Sequence, residues 1–376
     1  MAGLSVPQSD PKAGYLAHKA EIDAAIARTL DSGWYILGRE VAAFEEEFSR
    51  FVGLAHGIGV ANGTDALVLA LRALDIGPGA TVATVSHTAV ATVAAIELVG
   101  ATPLLIDIDP GRYTMDPGEL ETVLAGEGKR IKAVIPVHLY GQPAAIQDIQ
   151  KLADRLGVAV IEDCSQAHGA MVGNTQVGRF GRIACYSLYP TKNLGALGDG
   201  GVVLSDDKAL AGRVRELREY GWRERYVSAI AGTNSRLDEL QAAILRVKLN
   251  HLAADNERRR RIATDYDSGL AGLGLGLPVR AAGATHVYHQ YVVTTAVRAR
   301  LRELLKERGI ATNIHYPVPV HRQPAYAGRV PLGPAQCRQT ERLAEKILSL
   351  PMYPQLSRAQ IDHVIGSLRD TVQRTQ

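Results

Sequence analysis

The fold is indicated most directly by the stretch 183–201, which reads IACYSLYPTKNLGALGDGG. It begins with an apolar run typical of a β-strand, Ile183–Leu188, and passes through Lys192 into a glycine-rich loop that permits close backbone approach. A lysine that follows a strand is usually a solvated surface charge. Because Lys192 lies between an apolar strand and a glycine-rich turn, we expect a desolvated lysine that loses its proton readily and can form a Schiff base.

Short apolar runs of the same kind alternate with amphipathic helical periods over most of the chain. Strands are predicted at Gly57–Val60, Thr81–Val85, Thr102–Asp107, Ile131–Val137, Val158–Glu162, Ile183–Leu188 and Gly201–Leu204. Helices are predicted between them at Ala66–Leu74, Ala89–Val99, Asp116–Leu124, Ile146–Leu156 and Ala209–Tyr220. This alternation predicts an α/β fold with a mostly parallel seven-stranded sheet flanked by helices, whose ligands bind at the carboxyl ends of the strands.

A smaller α+β unit is predicted after this sheet. A long helical pattern over Arg236–Ser268 leads to a glycine-rich passage at 269–276. The unit then contains a strand and three helices, predicted at Tyr288–Thr294, Arg298–Arg308, Cys337–Leu348 and Arg358–Asp370. Because 376 residues exceed the roughly 250–300 residues that one core serves, we predict a large domain with an N-terminal arm at 1–250 and a small C-terminal domain at 251–376.

Composition and charge exclude several classes of protein. Hydrophobic residues make up 46% and charged residues 22%, as in ordinary globular proteins. The net charge of +3 predicts no nucleic-acid partner, and the run Arg258–Arg261 favours a solvated helix face or a subunit contact. The three cysteines form no CxxC pair and the histidines no HExxH motif, so no metal centre is predicted. The first ten residues lack a leader pattern and no apolar stretch could span a membrane, so we expect a cytoplasmic location.

Two further strand ends carry side chains suited to chemistry. Asp163 follows the predicted strand Val158–Glu162 and fits a partner for a cation, such as a protonated pyridine nitrogen, whereas we interpret Glu162 as a cap for a loop or helix. The stretch Asn62–Asp65 leads into a predicted helix whose N-terminus suits a phosphate, although a plain N-cap stays open for its polar residues. A phosphate cradle, an acid and a lysine at one sheet edge together predict a pyridoxal phosphate site.

The chain resembles the DegT/StrS group of nucleotide-sugar aminotransferases, which are fold-type I pyridoxal phosphate enzymes. The resemblance runs over nearly the whole chain. It is carried by ordered motifs at Asp31–Gly38, Phe44–Phe48, Asn62–Asp65, Glu162–His168, Ser187–Asn193, Asn234–Gln241 and His315–His321.

The resemblance implies a role for each matching residue. Lys192 would form the Schiff base with pyridoxal 5'-phosphate and carry the proton, and Asp163 would hold the pyridine nitrogen. Gln166 would contact the ring hydroxyl. The phosphate would be bound by Gly63, Thr64 and Ser187, and by Asn234 from the neighbouring subunit. This last role implies a homodimer with shared active sites.

One position departs from the family pattern. The segment Ser86–Ala91 has Ala89 where the family usually has an aromatic residue stacked on the cofactor ring. We hypothesise that His87, or an aromatic side chain from elsewhere, covers the ring. A buried structural histidine is the alternative.

The substrate is also suggested by resemblance. The motif Asn234–Gln241, the loop Tyr220–Trp222 and the segment His315–His321 resemble members that aminate carbon 3 of a keto sugar. The implied substrates are glutamate and a nucleotide-linked keto sugar, with a dTDP-3-keto-6-deoxyhexose favoured. Candidate substrate contacts, each of which could instead pack between domains, are Tyr35, Tyr189, His315, Tyr316 and His321.

Two alternatives to this function remain open, and two others are disfavoured by the presence of Lys192 and by the full-length motif match. A 4-keto sugar could be the acceptor, and the protein could be a non-catalytic regulator built on the same fold. A sugar dehydratase of the same fold would carry histidine in place of Lys192. An amino-acid or cysteine-type aminotransferase would carry an arginine dedicated to the substrate carboxylate.

Overall fold

The computed structural model describes residues 4–127 and 130–373. Met1–Gly3, part of the N-terminal stretch considered above for a leader pattern, lie outside the described residues. The α-helices in the described ranges are α1 Pro11–Ala17, α2 Lys19–Ser32, α3 Arg39–Val52, α4 Gly63–Ala73, α5 Val90–Leu98, α6 Pro117–Glu127, α7 Ile146–Asp154, α8 Lys208–Arg218, α9 Glu239–Leu270, α10 Arg298–Glu307, α11 Arg338–Ala344 and α12 Arg358–Gln373. Short 3-10 helices lie at Leu139–Gly141 and Val320–Arg322.

The strands in the same ranges are β1 His56–Val60, β2 Thr81–Val85, β3 Thr102–Ile106, β4 Ile131–Val134, β5 Ala159–Asp163, β6 Met171–Val172, β7 Thr175–Gln176, β8 Ile183–Ser187, β9 Gly201–Ser205, β10 Trp222–Glu224, β11 Val227–Ser228, β12 Ala284–Thr285, β13 Tyr291–Thr294 and β14 Ile347–Leu350. The seven strands predicted for the main sheet are all present, with ends shifted by a few residues.

The main sheet has the strand order β1-β9-β8-β5-β4-β2-β3. Its strands from β8 to β3 are parallel, and β9 is antiparallel to both of its neighbours. Because β1 and β8 both oppose β9, they run in the same direction. The carboxyl ends of β1, β2, β5 and β8 therefore lie along one edge, which confirms the mostly parallel sheet and places the predicted strand ends together.

Each face of the sheet is covered by helices, as the alternation predicts. On one face, Ile58 and Val203 share an apolar core with Ala70 of α4 and Val214 of α8. On the other face, the core includes Phe44 and Phe48 of α3, Tyr186 of β8 and Leu245 of α9. These side chains are buried, so both faces exclude water and leave the strand ends as the accessible part of the sheet.

The predicted helix Cys337–Leu348 is wrong in its second half. Helix α11 ends at Ala344, and Ile347–Leu350 form β14, which pairs antiparallel with β13 from Leu350 opposite Tyr291 to Ile347 opposite Thr294. All four residues of β14 are buried. Strand pairing with a distant segment overrides the local helical pattern here. The prediction also missed α1, α2 and α3, which precede the first strand.

The two predicted domains are joined by a continuous helix. The 32-residue α9 begins at Glu239 beside the main sheet and ends at Leu270 in the apolar core of the C-terminal unit. It therefore crosses residue 250, where we predicted the boundary. The N-terminal arm also contacts the C-terminal unit, since Val6 forms an isolated bridge with Ile310. The division at residue 250 stays a prediction.

Within the described ranges, no helix combines the length and the apolar character needed to cross a bilayer.

Candidate active site

A cavity of about 290 Å³ opens at the carboxyl edge of the main sheet. Five strand ends contribute to its wall: the turn after β1, the segments after β2 and β4, the end of β5 and the loop after β8. Seven of the predicted site residues line it, namely Gly63, Thr64, Asp163, Gln166, Ser187, Tyr189 and Lys192. The structure thus brings together the lysine, the acid and the phosphate cradle that the sequence predicts.

Asp163, the last residue of β5, is the buried acid of this cavity. One carboxylate oxygen accepts a hydrogen bond from the Thr92 hydroxyl at 2.9 Å, and the other accepts the Ser165 backbone N–H at 3.1 Å. The side chain is 4% exposed. Both hydrogen-bond partners are neutral, so Asp163 can pair with a cation bound in the cavity.

Lys192 lies in the turn after β8, where its backbone N–H donates to the Tyr189 carbonyl at 2.8 Å. Burial lowers the pKa of its ammonium group from 10.5 to about 8, although the nearby Asp163 carboxylate acts in the opposite direction. The glycine-rich loop permits this turn: a Cβ at Gly195 would lie 2.5 Å from the Pro190 carbonyl oxygen. The close backbone approach that we expected is therefore present, and it holds the lysine against the cavity.

The N-terminus of α4 forms the opposite corner. Asn62 is its N-cap, since its side-chain oxygen accepts the Asp65 backbone N–H at 2.8 Å. The capping alternative is thus correct for Asn62. Gly63 and Thr64 are the first two residues of α4, and their backbone N–H groups lie at the helix end before the capped N–H of Asp65. A Cβ at Gly63 would lie 2.6 Å from the Cβ of Ser187, so only glycine lets the serine approach the helix. A positive helix end beside a hydroxyl suits a phosphate.

Gln166 is held by two residues outside the main sheet. Its side-chain oxygen accepts the Tyr140 backbone N–H at 2.7 Å, and its side-chain nitrogen donates to the Tyr316 hydroxyl at 3.1 Å. The Tyr140 hydroxyl in turn donates to the His315 carbonyl. Burial raises the pKa of Tyr316 to about 12, so its phenol is neutral at physiological pH. His315 and Tyr316 therefore lie one contact behind the wall of the cavity.

His87 and His321 do not line the cavity. His87 is buried and its Nε2 lies 2.8 Å from the Tyr140 hydroxyl; burial lowers its pKa to about 4. The alternative of a buried structural histidine describes this position, and the wall carries Ala89 instead. His321 bridges the Ser86 hydroxyl at 2.7 Å and the Glu341 carboxylate at 2.9 Å, which is a packing role.

Two predicted residues lie outside the lining of this cavity. Tyr35 is 48% exposed and donates to the Leu30 carbonyl at 3.3 Å. Asn234 is exposed and pairs through its backbone with Glu219. Both residues are accessible from outside the chain.

Glu162 has the structural role that the sequence suggested. Its fully buried carboxylate accepts the backbone N–H groups of Gly178, Phe180 and Gly181 at 2.7–2.8 Å, and it lies 3.0 Å from the His138 Nε2. The His138 Nδ1 accepts the Ala144 N–H, so Nε2 carries the ring proton and donates to the carboxylate.

The arginine run is only partly a solvated helix face. Arg260 and Arg261 pair with Glu257. Arg259, however, is 5% exposed and donates to the Tyr288 and Met352 carbonyls at 3.1 Å. The expectation of solvent exposure is wrong for Arg259. Residues three to four positions apart share one face of a helix, and Arg259 lies on the face of α9 that packs against the C-terminal core.

Residues 17–369 match the model of the DegT/DnrJ/EryC1/StrS aminotransferase family. The chain belongs to this family. A dTDP-3-amino-3,4,6-trideoxy-alpha-D-glucose transaminase of Streptomyces venezuelae is 47% identical over 98% of this chain and 97% of that protein. A UDP-N-acetyl-3-dehydro-alpha-D-glucosamine 3-aminotransferase of Acidithiobacillus ferrooxidans is 44% identical over 98% of each chain. The crystal structure of S. venezuelae DesV in complex with a ketimine intermediate superposes with a TM-score of 0.95, at 47% identity, over 99% of this chain and 100% of that one.

This family member is an aminotransferase with the fold-type I architecture, and its cofactor is pyridoxal phosphate. The residues present fit that group. Asp163 offers a buried carboxylate whose hydrogen-bond partners are neutral, Lys192 a lysine with a lowered pKa, and the start of α4 an anion site beside Ser187. The predicted fold class, enzyme class and cofactor are thereby confirmed.

Sequence reasoning missed two residues that shape the aminotransferase site. Thr92 lies 71 positions before the Asp163 that it contacts, and its only local signal is its place one helical turn after Thr88. Tyr140 contacts Gln166, His87 and the His315 carbonyl. Tyr140 could have been predicted from its place in the chain, since the segment that follows β4 also begins at the carboxyl edge of the sheet.

Proposed function

We propose that this aminotransferase moves an amino group from glutamate to carbon 3 of a dTDP-linked 3-keto-6-deoxyhexose. The observation that carries the proposal is the shared cavity of Lys192 and Asp163, which sets a proton carrier beside a buried acid. Both relatives described above bear names that place the amino group at carbon 3, which supports that carbon, while their nucleotides and sugars differ. A 4-keto sugar is the alternative acceptor.

The chemistry is divided between the cofactor and the chain. When bound, the protonated pyridine ring of the cofactor stabilises negative charge at the carbon that loses its proton. Asp163 keeps the ring nitrogen protonated, and Gly63, Thr64 and Ser187 hold the phosphate. Lys192 takes the α-proton of the amino donor at Nζ and returns a proton in the sugar half-reaction. A pKa of about 8 suits this two-way transfer, because an efficient acid–base group has a pKa near the working pH.

The sugar is proposed to enter past Tyr189, which lines the cavity and is 53% exposed. Its ring and hydroxyl suit a sugar. Tyr316 and His315 contribute from behind Gln166, where burial and the nearby Lys192 charge lower the pKa of His315 to about 4, leaving a neutral imidazole.

We also propose a homodimer in which Asn234 completes the phosphate site of the partner. Support comes from the exposed position of Asn234 and from large exposed apolar side chains near the predicted shared motifs, which include Trp34, Tyr35, Tyr220 and Tyr226. Contiguous exposed apolar surface marks interaction sites.

The direct test is amine transfer to defined keto sugars. Purified protein is incubated with glutamate and each of three acceptors: a dTDP-3-keto-6-deoxyhexose, the matching 4-keto isomer and a UDP-linked 3-keto sugar. Mass spectrometry detects the aminated product. We expect the fastest turnover with the first acceptor, none with Lys192→Ala and unchanged turnover with the exposed control Lys151→Ala. Faster turnover of the 4-keto isomer would overturn the assignment of carbon 3, and turnover by Lys192→Ala would overturn the mechanism.

The shared site is tested by mixing inactive subunits. Lys192→Ala and Asn234→Ala chains are each inactive or weak alone, and in a mixed dimer one of the two sites regains both intact residues. Recovery of activity on mixing is the expected result. If the mixture stays at the level of its parents although mass spectrometry detects the mixed dimer, the proposed role of Asn234 is wrong.

A further inference from the structure

Three side chains of metal-ligating types meet where α2 packs against α9, two of them close together in sequence and the third far along the chain. His18 lies between α1 and α2, and Glu21 follows it by three residues, so both project from the same side of the helix. His251 reaches them from α9, 230 residues later. The candidate ligand atoms of the three residues all lie within 4.8 Å of one another.

Within this cluster, the His18 Nε2 has no hydrogen-bond partner among the described residues. The His251 Nε2 lies 3.2 Å from each oxygen of Glu21, and the two imidazole rings stack with their centroids 3.8 Å apart. The His18 Nε2 is also buried. A buried ring nitrogen without a partner is unfavourable, and a metal ion would satisfy it.

Charged side chains of both signs surround the cluster, and a neighbouring cavity supplies room for water. Asp255 lies one turn after His251 on α9, and its carboxylate is 3.8 Å from Arg258, with which it pairs. His18 also lines a cavity of about 60 Å³, which is large enough for a water molecule and whose charged lining residues are Asp10, Asp255, Lys192, Lys248 and Arg259. Two imidazoles, a carboxylate and a water make up four ligands.

We propose that His18, Glu21 and His251 bind a divalent first-row transition ion, with Zn²⁺ the best match, and that the ion clamps α2 to α9. Zinc takes four ligands of this mixed nitrogen and oxygen kind. The two rings turn out of their stacked arrangement to bring both nitrogens to about 2.0–2.1 Å from the ion. Both histidines are partly exposed, so this rotation meets little resistance. None of the three proposed ligands has a role in the reaction proposed above.

The test uses untagged, cofactor-loaded protein treated with EDTA and dialysed, and titrated with ZnCl₂ in a calorimeter. We expect saturable binding of one ion per chain in the micromolar range or tighter. His251→Asn and Glu21→Gln should each weaken it more than about 100-fold, since even loss of an outer partner of a ligand costs 10–100-fold. His56→Gln, which removes a half-buried histidine at the start of β1, should leave it unchanged.

Two further measurements separate loss of the site from loss of the fold. In EDTA, both variants should unfold in a single transition close to that of the wild type. In EDTA-free buffer, added zinc should raise the unfolding temperature of the wild type and leave that of both variants unchanged. Cobalt(II) added to the wild type should give visible absorption bands of a low-coordinate site. Absence of stoichiometric binding, or binding that persists in both variants, would overturn the proposal.

Discussion

The low pKa of Lys192 leads to a quantitative prediction. Burial lowers that pKa from 10.5 to about 8. At pH 7 about one-tenth of such a lysine is neutral, against roughly three parts in ten thousand for a lysine at the ordinary pKa, which is a difference of ~300-fold. In the cofactor-free protein, the reactive amine of Lys192 should therefore titrate with a midpoint near pH 8.

Competitive labelling measures this midpoint. Cofactor-free protein is exposed to a trace of an amine-acylating reagent from about pH 6 to about pH 11, the range that covers both lysine states, and each lysine is quantified by peptide mass spectrometry. Lys19 is the internal reference, because its hydrogen bond to Asp23 raises its pKa. Lys248 is a second control: burial lowers its pKa to about 8, but it lies outside the cofactor cavity. Added pyridoxal phosphate should protect Lys192 and not Lys248.

Asp163→Asn tests the sign of the electrostatic contribution. The Asp163 carboxylate raises the Lys192 pKa against the effect of burial, so its neutralisation should move the midpoint further below 8. A Lys192 midpoint like that of Lys19, or an upward shift in Asp163→Asn, would refute the reasoning.

Further predictions concern the phosphate corner and the buried acid behind the site. Gly63→Ala forces a Cβ to within 2.6 Å of Ser187, so we expect weaker cofactor affinity in a fluorescence titration and a loss of about 1–3 kcal/mol in unfolding free energy. Gly14→Ala, whose Cβ meets nothing within 4 Å in α1, should be neutral or stabilising by up to about 1 kcal/mol; equal losses in both variants would contradict the packing argument. Glu162→Gln places an amide against donors from the backbone and His138, and should lower the free energy of unfolding in urea by about 1–3 kcal/mol for each hydrogen bond that it breaks. An unchanged urea midpoint would show that Glu162 is not needed as an acceptor.

The predicted site residues that the structure brings together share one property, which is that topology alone fixes their position. Asp163, Ser187 and Gly63 each lie at or just after the end of a strand, and a sheet with parallel strands gathers those ends at one edge. The sequence alone could therefore predict that these side chains form one site, before any contact between them was known.

The misses come from contacts between distant segments. His87 is directed away from the cavity by Tyr140, 53 residues later. The predicted helix Cys337–Leu348 is overridden at its end, where Ile347 and Leu348 pair with β13. Likewise, His18 and Glu21 become a candidate ion site only when His251 arrives on α9. Local sequence patterns carry no information on such long-range contacts.

The continuity of α9 limits how this molecule can open. Its 32 residues make a rod about 48 Å long. At one end, the Glu239 carboxylate accepts the backbone N–H groups of Gly38, Glu40 and Val41; near the other, the Tyr266 hydroxyl donates to the Pro351 carbonyl. Hinging the halves at residue 250 would break the hydrogen bonds of the helix itself. A hinge within α9 is therefore disfavoured, and we expect substrates to be admitted by local movements at the cavity mouth, where Tyr189 is exposed.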